Sequence, residues 1–413
     1  MTVTNKGLTI TETEPVPIVK DFGTFTTYIR EKNPSLARKT HFLTRKTLYE
    51  IDQLLSHPLP DNRPQTSEGF YPHLKLFYHL ALRGTFFVKT PELTLQQTET
   101  FTNYDMLTPT EKYFFLLETF WVDSNWSELL NHPSDFSLIP KARAITGYLA
   151  RNPSGRILLM KRLDNIRSVI WNIHHFWQYL SFFGLLRIAF VQDPSKKRQL
   201  QPASVTITDL GSALFPILHG ERNLEQWNIP YNQNETESLI IFPGLSETHC
   251  KEEYEPFFKP FQRLFKENLQ KTLPRREHKK GTFVFKVSLR KNIWRIIVVS
   301  SENTLEDFHD AIQDAFHFDK DHLYAFFMDS VRWSSSSIYG PECDRSPSAD
   351  QVCIGDLGLH VGQQILYLFD FGDEWNFKVV LLDIKSEPGP SSPVIVEQKG
   401  ESPEQYPLDD YEL

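Results

Sequence analysis

The chain carries only three cysteines in 413 residues, Cys250, Cys343 and Cys353. An odd, small number in a long chain excludes a disulfide framework and points to a reducing, cytoplasmic compartment. No basic, apolar and small-residue succession opens the sequence, so no secretory leader is expected. Long apolar runs are also missing. The most apolar window, residues 171–190, is interrupted by His174, His175, Gln178 and Arg187. That window reads as a buried helix running into a strand, not a membrane span. The spacings HxxxH, CxxC and GxxxxGK(S/T) are absent, and Cys343 and Cys353 have nine residues between them across a polar loop. No metal, redox or nucleotide motif therefore stands out, and no cofactor is expected.

What is present describes a globular chain of two or three domains. Hydrophobic residues make up 40% and charged residues 23%, which excludes a disordered class. Aromatics reach 13%, with 32 Phe, and predict aromatic-rich cores. The net charge of −8 is unevenly placed: residues 281–413 hold 10 Lys and Arg against 23 Asp and Glu, leaving a mild positive excess in residues 1–280. Only the first part suits a nucleic-acid surface, and the acidic part suits a protein partner.

Residues 1–20 are rich in Thr, Glu and Pro and predict a disordered start. Phe25 to His57 has near-helical apolar spacing. An internal repeat follows. In the first copy a helix, Pro72 to Leu82, ends near Gly84 and leads to strands at residues 85–88 and 93–95. In the second, a helix from about Ile166 ends at Gly184, with strands at 185–190 and 204–208 and a helix after Asp209. Glycine suits both helix ends because such positions often take positive φ. Between the copies, Thr108, Pro109 and Glu111 have capping-box spacing, and Thr208 or Asp209 caps the last helix.

Helix, glycine, strand, loop, strand, helix is the pattern of a winged helix. The second copy places Lys196, Lys197 and Arg198 where a wing tip would contact phosphate. The helix before it offers few Arg, Lys, Asn or Gln to read base edges. Phe257, Phe258, Phe261, Leu264 and Phe265 form a further apolar helical stripe. The expected organisation is a disordered start (1–20), a helical tandem winged-helix-like region (21–270), a basic linker (271–281) and an α+β domain (282–408).

In that last domain, residues 283–289 and 293–299 alternate as two strands. Thr304 and Asp307 open a helix with Leu305, Phe308, His309, Ile312 and Phe316 inward and Asp307, Asp310, Gln313 and Asp314 outward. A strand at 324–328, a polar loop at 330–351, a short strand and turn at 352–361 and a long strand at 365–371 follow.

The residues Ile293-Trp294-Arg295, Leu305, His309, Ile312-Gln313, Asp321-His322-Leu323, Phe326 and Tyr367-x-Phe369-Asp370-Phe371-Gly372-Asp373-x-Trp375 carry a family signature. Over about residues 280–408 the chain resembles the plasmid pRiA Orf-three-like family, also catalogued as the insertion-element passenger TnpR family. The resemblance implies a compact α+β roll of mostly antiparallel strands around one helix, and it implies no reaction. Many members continue Asp-x-Trp-x-His, where this chain has Phe377.

Two readings of the signature differ in kind. In the first, the chain is a non-catalytic binding protein associated with mobile elements or DNA. The acidic turn is then structural: Gly372 supplies positive φ, Asp370 and Asp373 accept turn N–H groups, and Trp375 and Phe377 cover the sheet. In the second, His309, His322, Asp370 and Asp373 hold a divalent metal for a hydrolase or nuclease-like reaction.

Overall fold

The computed structural model describes residues 7–90, 92–130, 138–160, 174–190, 202–228, 256–269, 279–333, 337–343 and 348–406. The fold is α+β. Contacts divide the chain into two compact units, one mainly of residues up to Leu273 and the other mainly from Pro274 onward.

The first unit is mostly helical. Helix α1 (Ile18–Lys32) and α2 (Arg45–Asp52) occupy the stretch expected to be one helix. Asn33, at φ 40°, ends α1 just before Pro34, and Thr44 caps α2 anew through its hydroxyl. Residues expected to be poorly ordered are held: Leu8 bridges Phe265, and Ile10 and Ile18 are buried. Apolar side chains inside a polar stretch gave that segment something to bury.

Helix α3 (Pro72–Arg83) leads to the short pair β1 (Phe87–Lys89) and β2 (Leu95–Gln97), then α4 (Glu99–Asp105). Gly84 caps α3 with negative φ, and the positive φ falls on Thr85 instead. Helix α5 (Pro109–Val122) starts with the full Thr108–Glu111 capping box. After α6 (Trp126–Leu130) and α7 (Leu138–Ala150) come β3 (Ile157–Leu159), α8 (His174–Phe182), β4 (Leu186–Phe190), β5 (Pro202–Ile207) and α9 (Asp209–His219). The three strands form an antiparallel sheet in the order β3-β5-β4. Here Gly184 does take positive φ (73°), and Thr208 caps α9 by accepting from the Gly211 N–H at 2.9 Å. A four-residue helix, α10 (Leu224–Trp227), follows, and the Phe257–Phe265 stripe forms a 3-10 turn at Lys259–Leu264 rather than an α-helix. Interlocking rings fill the core, Phe22 against Phe77 and Phe86 and Phe120 against Trp126 and Phe183 among them.

The second unit is a seven-stranded antiparallel sheet. Its strands are β6 (Thr282–Arg290), β7 (Ile293–Ser300), β8 (Tyr324–Phe327), β9 (Ser337–Tyr339), β10 (Gln364–Phe369), β11 (Trp375–Lys385) and β12 (Val394–Lys399), in the order β12-β7-β6-β11-β10-β8-β9. Helix α11 (Leu305–Phe316) begins with the Thr304–Asp307 capping box and buries Leu305, Phe308, Ile312 and Phe316 against Phe285, Phe326, Tyr367 and Phe377. Residues 354–357 form a 3-10 turn closed by Gly358 rather than a strand. The closing segment supplies an edge strand, β12, paired to β7.

Candidate functional site

Most of the family-signature residues gather where β8, the β10–β11 turn and α11 meet, while Trp294 and Arg295 lie on β7. Strand register explains the gathering. Phe369 sits opposite Tyr324 on β8 and Trp375 on β11, and Tyr367 sits opposite Phe326 and Phe377. With side chains alternating at period two, Tyr367 and Phe369 both face α11.

His309 lies on the buried face of α11, as its spacing predicts. Its ring stacks on Tyr324 with centroids 3.7 Å apart, and Nδ1 lies 2.6 Å from the Tyr367 hydroxyl. Gln313 Nε2 donates to that same oxygen at 2.5 Å. The Tyr367 hydroxyl thus accepts from Gln313 and shares a hydrogen bond with His309 Nδ1. Burial, and secondarily Lys320, pushes the His309 pKa down to about 3. Gln313 was expected to face outward and is instead fully buried. It stands one helical turn beyond His309, and the Tyr367 hydroxyl draws both side chains inward.

The acidic turn is held by Asp370. Its Oδ1 accepts from the Gly372 N–H at 2.8 Å and the Asp373 N–H at 3.3 Å, and the Glu374 N–H closes onto its carbonyl at 2.7 Å. Positive φ falls on Asp370 (55°) and Glu374 (54°), flanking Gly372 rather than on it. Asp and Asn tolerate that region better than most residues. Asp373 is an exposed turn residue. Trp375 packs edge-on against Phe318 at 4.8 Å.

Asp370 Oδ2 lies 3.6 Å from His322 Nε2. That nitrogen is also 3.0 Å from the Tyr406 hydroxyl, which donates to Asp321 Oδ1 at 3.2 Å and accepts from Gln405 Nε2 at 2.9 Å. Gln405 Oε1 in turn accepts from the Asp319 N–H. The half-exposed set ties the C-terminal segment to the loop before β8. Sequence reasoning missed Gln405 and Tyr406, which lie far along the chain from the Asp321-His322 pair.

Arg295 is buried, and its guanidinium is filled by the chain's own oxygens. It donates to the carbonyls of Ala315, Trp294, Lys399 and Gly400 and to the Ser402 hydroxyl, all between 2.8 and 3.1 Å. Its plane also lies over Phe316 at 4.6 Å. Trp294 takes the Lys286 ammonium over its ring at 4.3 Å.

The proposed metal set does not converge. His309 is enclosed with its Nδ1 taken, His322 and Asp370 form a pair, and Asp373 stands on the turn. Among the described residues no group of three or more His, Cys, Asp or Glu is arranged to hold a metal. Cys343 and Cys353 are both half-buried. Cys250 and the wing-tip residues Lys196, Lys197 and Arg198 lie outside the described residues. No helix among the described residues is long and apolar enough to cross a membrane.

A family comparison agrees with this geometry. Residues 282–406 match the plasmid pRiA4b ORF-3-like protein family. The ORF-3-like unit thus spans the whole sheet and α11. No curated protein matches the chain. A crystal structure of a protein of unknown function from Methanosarcina mazei Go1 is 24% identical over 30% of this chain and 72% of its own, with a TM-score of 0.26.

Proposed function

We propose that the protein is a non-catalytic binding protein. In this reading the ORF-3-like unit contacts a protein partner through its acidic surface, and the first unit contacts DNA, in association with mobile elements. The observation that carries the reading is what the signature side chains touch. Arg295, His309, Gln313, Tyr367 and Asp370 each bond to the chain's own groups. A signature built this way supports a scaffold for a surface, and the residues from 281 onward give that surface a strong negative charge.

Two observations support a winged-helix reading of the second repeat copy: the element order α7, β3, α8, β4, β5 and the sheet order β3-β5-β4. The buried residues Phe176, Trp177, Gln178, Tyr179 and Leu180 cover most of α8, so that helix is not free to enter a groove. Phosphate contact then falls to the β4–β5 loop with Lys196, Lys197 and Arg198. The test is a gel-retardation titration of the full chain on duplex DNA across salt. Retardation at low salt is expected, with a salt slope reduced by roughly three charges in the Lys196→Ala, Lys197→Ala, Arg198→Ala variant. Absence of retardation at low salt overturns the DNA part of the reading.

A further inference from the structure

The acidic surface of the ORF-3-like unit contains one built feature outside the signature. Glu306 and Asp310 are a helical turn apart on α11 and share its outer flank. The 3-10 turn Ala349–Gln351 is fastened to the start of that helix: the Leu305 N–H donates to the Val352 carbonyl at 3.0 Å, and Thr304 bridges Cys353. This brings Asp350 beside Glu306. A second 3-10 turn, Pro341–Cys343, carries Glu342.

Tyr324, on β8, lies within the field of these carboxylates. Its ring stacks on His309, at 3.7 Å, and Gly340 lies close beside it. A Cβ at position 340 would lie 2.6 Å from Tyr324 Cε1 and 3.0 Å from Glu342 Oε2. Glycine at this position thus leaves room for the Tyr324 ring. Tyr324 is 2% exposed, and its hydroxyl has no hydrogen-bond partner among the described residues. A buried hydroxyl without a partner is costly, and native structures rarely leave one without a reason.

The local charge is equally unanswered. Lys320 reaches Asp310 at 3.2 Å, but it also serves Asp314 at 3.0 Å. Glu306 has no such cation among the described residues. Burial, followed by the fields of Asp350, Asp310, Glu342 and Asp307, holds its carboxyl above the usual range. Glu306, Glu342, Asp310 and Asp350 also bear on the Tyr324 hydroxyl.

Resting on the partner reading above, we propose that Glu306, Asp310, Glu342, Asp350 and the Tyr324 hydroxyl form a cradle for a basic side chain, Arg or Lys, of the partner protein. No three of the carboxylates are arranged to hold a single metal ion, so the cradle suits a cation larger than a bare ion. A guanidinium presents five donors on a rigid plane and can bond several carboxylates while giving an N–H to a hydroxyl oxygen.

The test uses the full chain and a fluorescently labelled hexa-arginine peptide, with affinity read by anisotropy at low salt. The Glu306→Gln, Glu342→Gln double variant is expected to bind about tenfold more weakly. A charge-matched control, Glu397→Gln with Glu401→Gln, is expected to change binding less than about twofold. Tyr324→Phe is expected to weaken the peptide severalfold while its melting temperature holds or rises. Equal weakening in both double variants would show a diffuse field and overturn the cradle, as would unchanged binding in Tyr324→Phe. Peptide binding with this pattern, but without capture of a cellular protein, leaves the cradle standing and overturns only the partner reading.

Discussion

Arg295 shows most plainly what the signature side chains do. Replacing it with alanine leaves the carbonyls of Ala315, Lys399 and Gly400 without their donor. Arg295→Ala should destabilise the ORF-3-like unit by roughly 3 kcal/mol, measured by denaturant unfolding. His309 makes a pH-dependent contribution. Its pKa is about 3 in the fold against 6.5 in the unfolded chain, so unfolding takes up a proton between those values. The contribution is complete above about pH 6.5 and is lost as pH falls toward 3. The slope approaches ~1.4 kcal/mol per pH unit. His79, buried beside Ser124 with its pKa likewise pushed to about 3 by burial, gives the first unit the same acid sensitivity. His309→Gln should flatten the acid limb for the ORF-3-like unit, as followed by thermal melts from pH 7 to pH 4.

At the scale of elements, local chemistry in the sequence was a good guide wherever it acted alone. The Thr304–Asp307 and Thr108–Glu111 boxes start their helices where the spacing said. Thr304→Ala should cost the ORF-3-like unit about 1 kcal/mol, read as a lower unfolding midpoint. Alternation likewise located β6 and β7. What escaped the sequence depended on distant partners. Gln313 looked polar and outward until Tyr367 arrived from 54 residues away. β12 is exposed along its length and has no buried face to announce it. Its place is set by pairing with β7 and by Arg295 gripping the carbonyls at its end. The turn at 370–374 had the right residues but the positive φ landed on Asp370 and Glu374, because Asp370 closes the turn with its own carboxylate. The Asp321–Tyr406 contact joins residues 85 apart, and no local pattern encodes that distance.

Across the whole chain, the division of charge is the property that most constrains function. A first unit with a slight positive excess and an ORF-3-like unit of strong negative charge favour different partners for each, and opposite responses to basic probes. The signature residues close a turn, bond a histidine and fasten an edge strand. The most direct measurement is the melting temperature of Asp370→Ala beside the parent chain, each with a chelator and with added divalent metal. The substitution removes an acceptor of two turn N–H groups and puts alanine at φ 55°. A structural turn predicts a drop of several degrees in the variant and the same melting temperature for the parent with chelator or metal. An undiminished melting temperature in Asp370→Ala, together with loss of a metal-induced rise that the parent displays, would contradict the account.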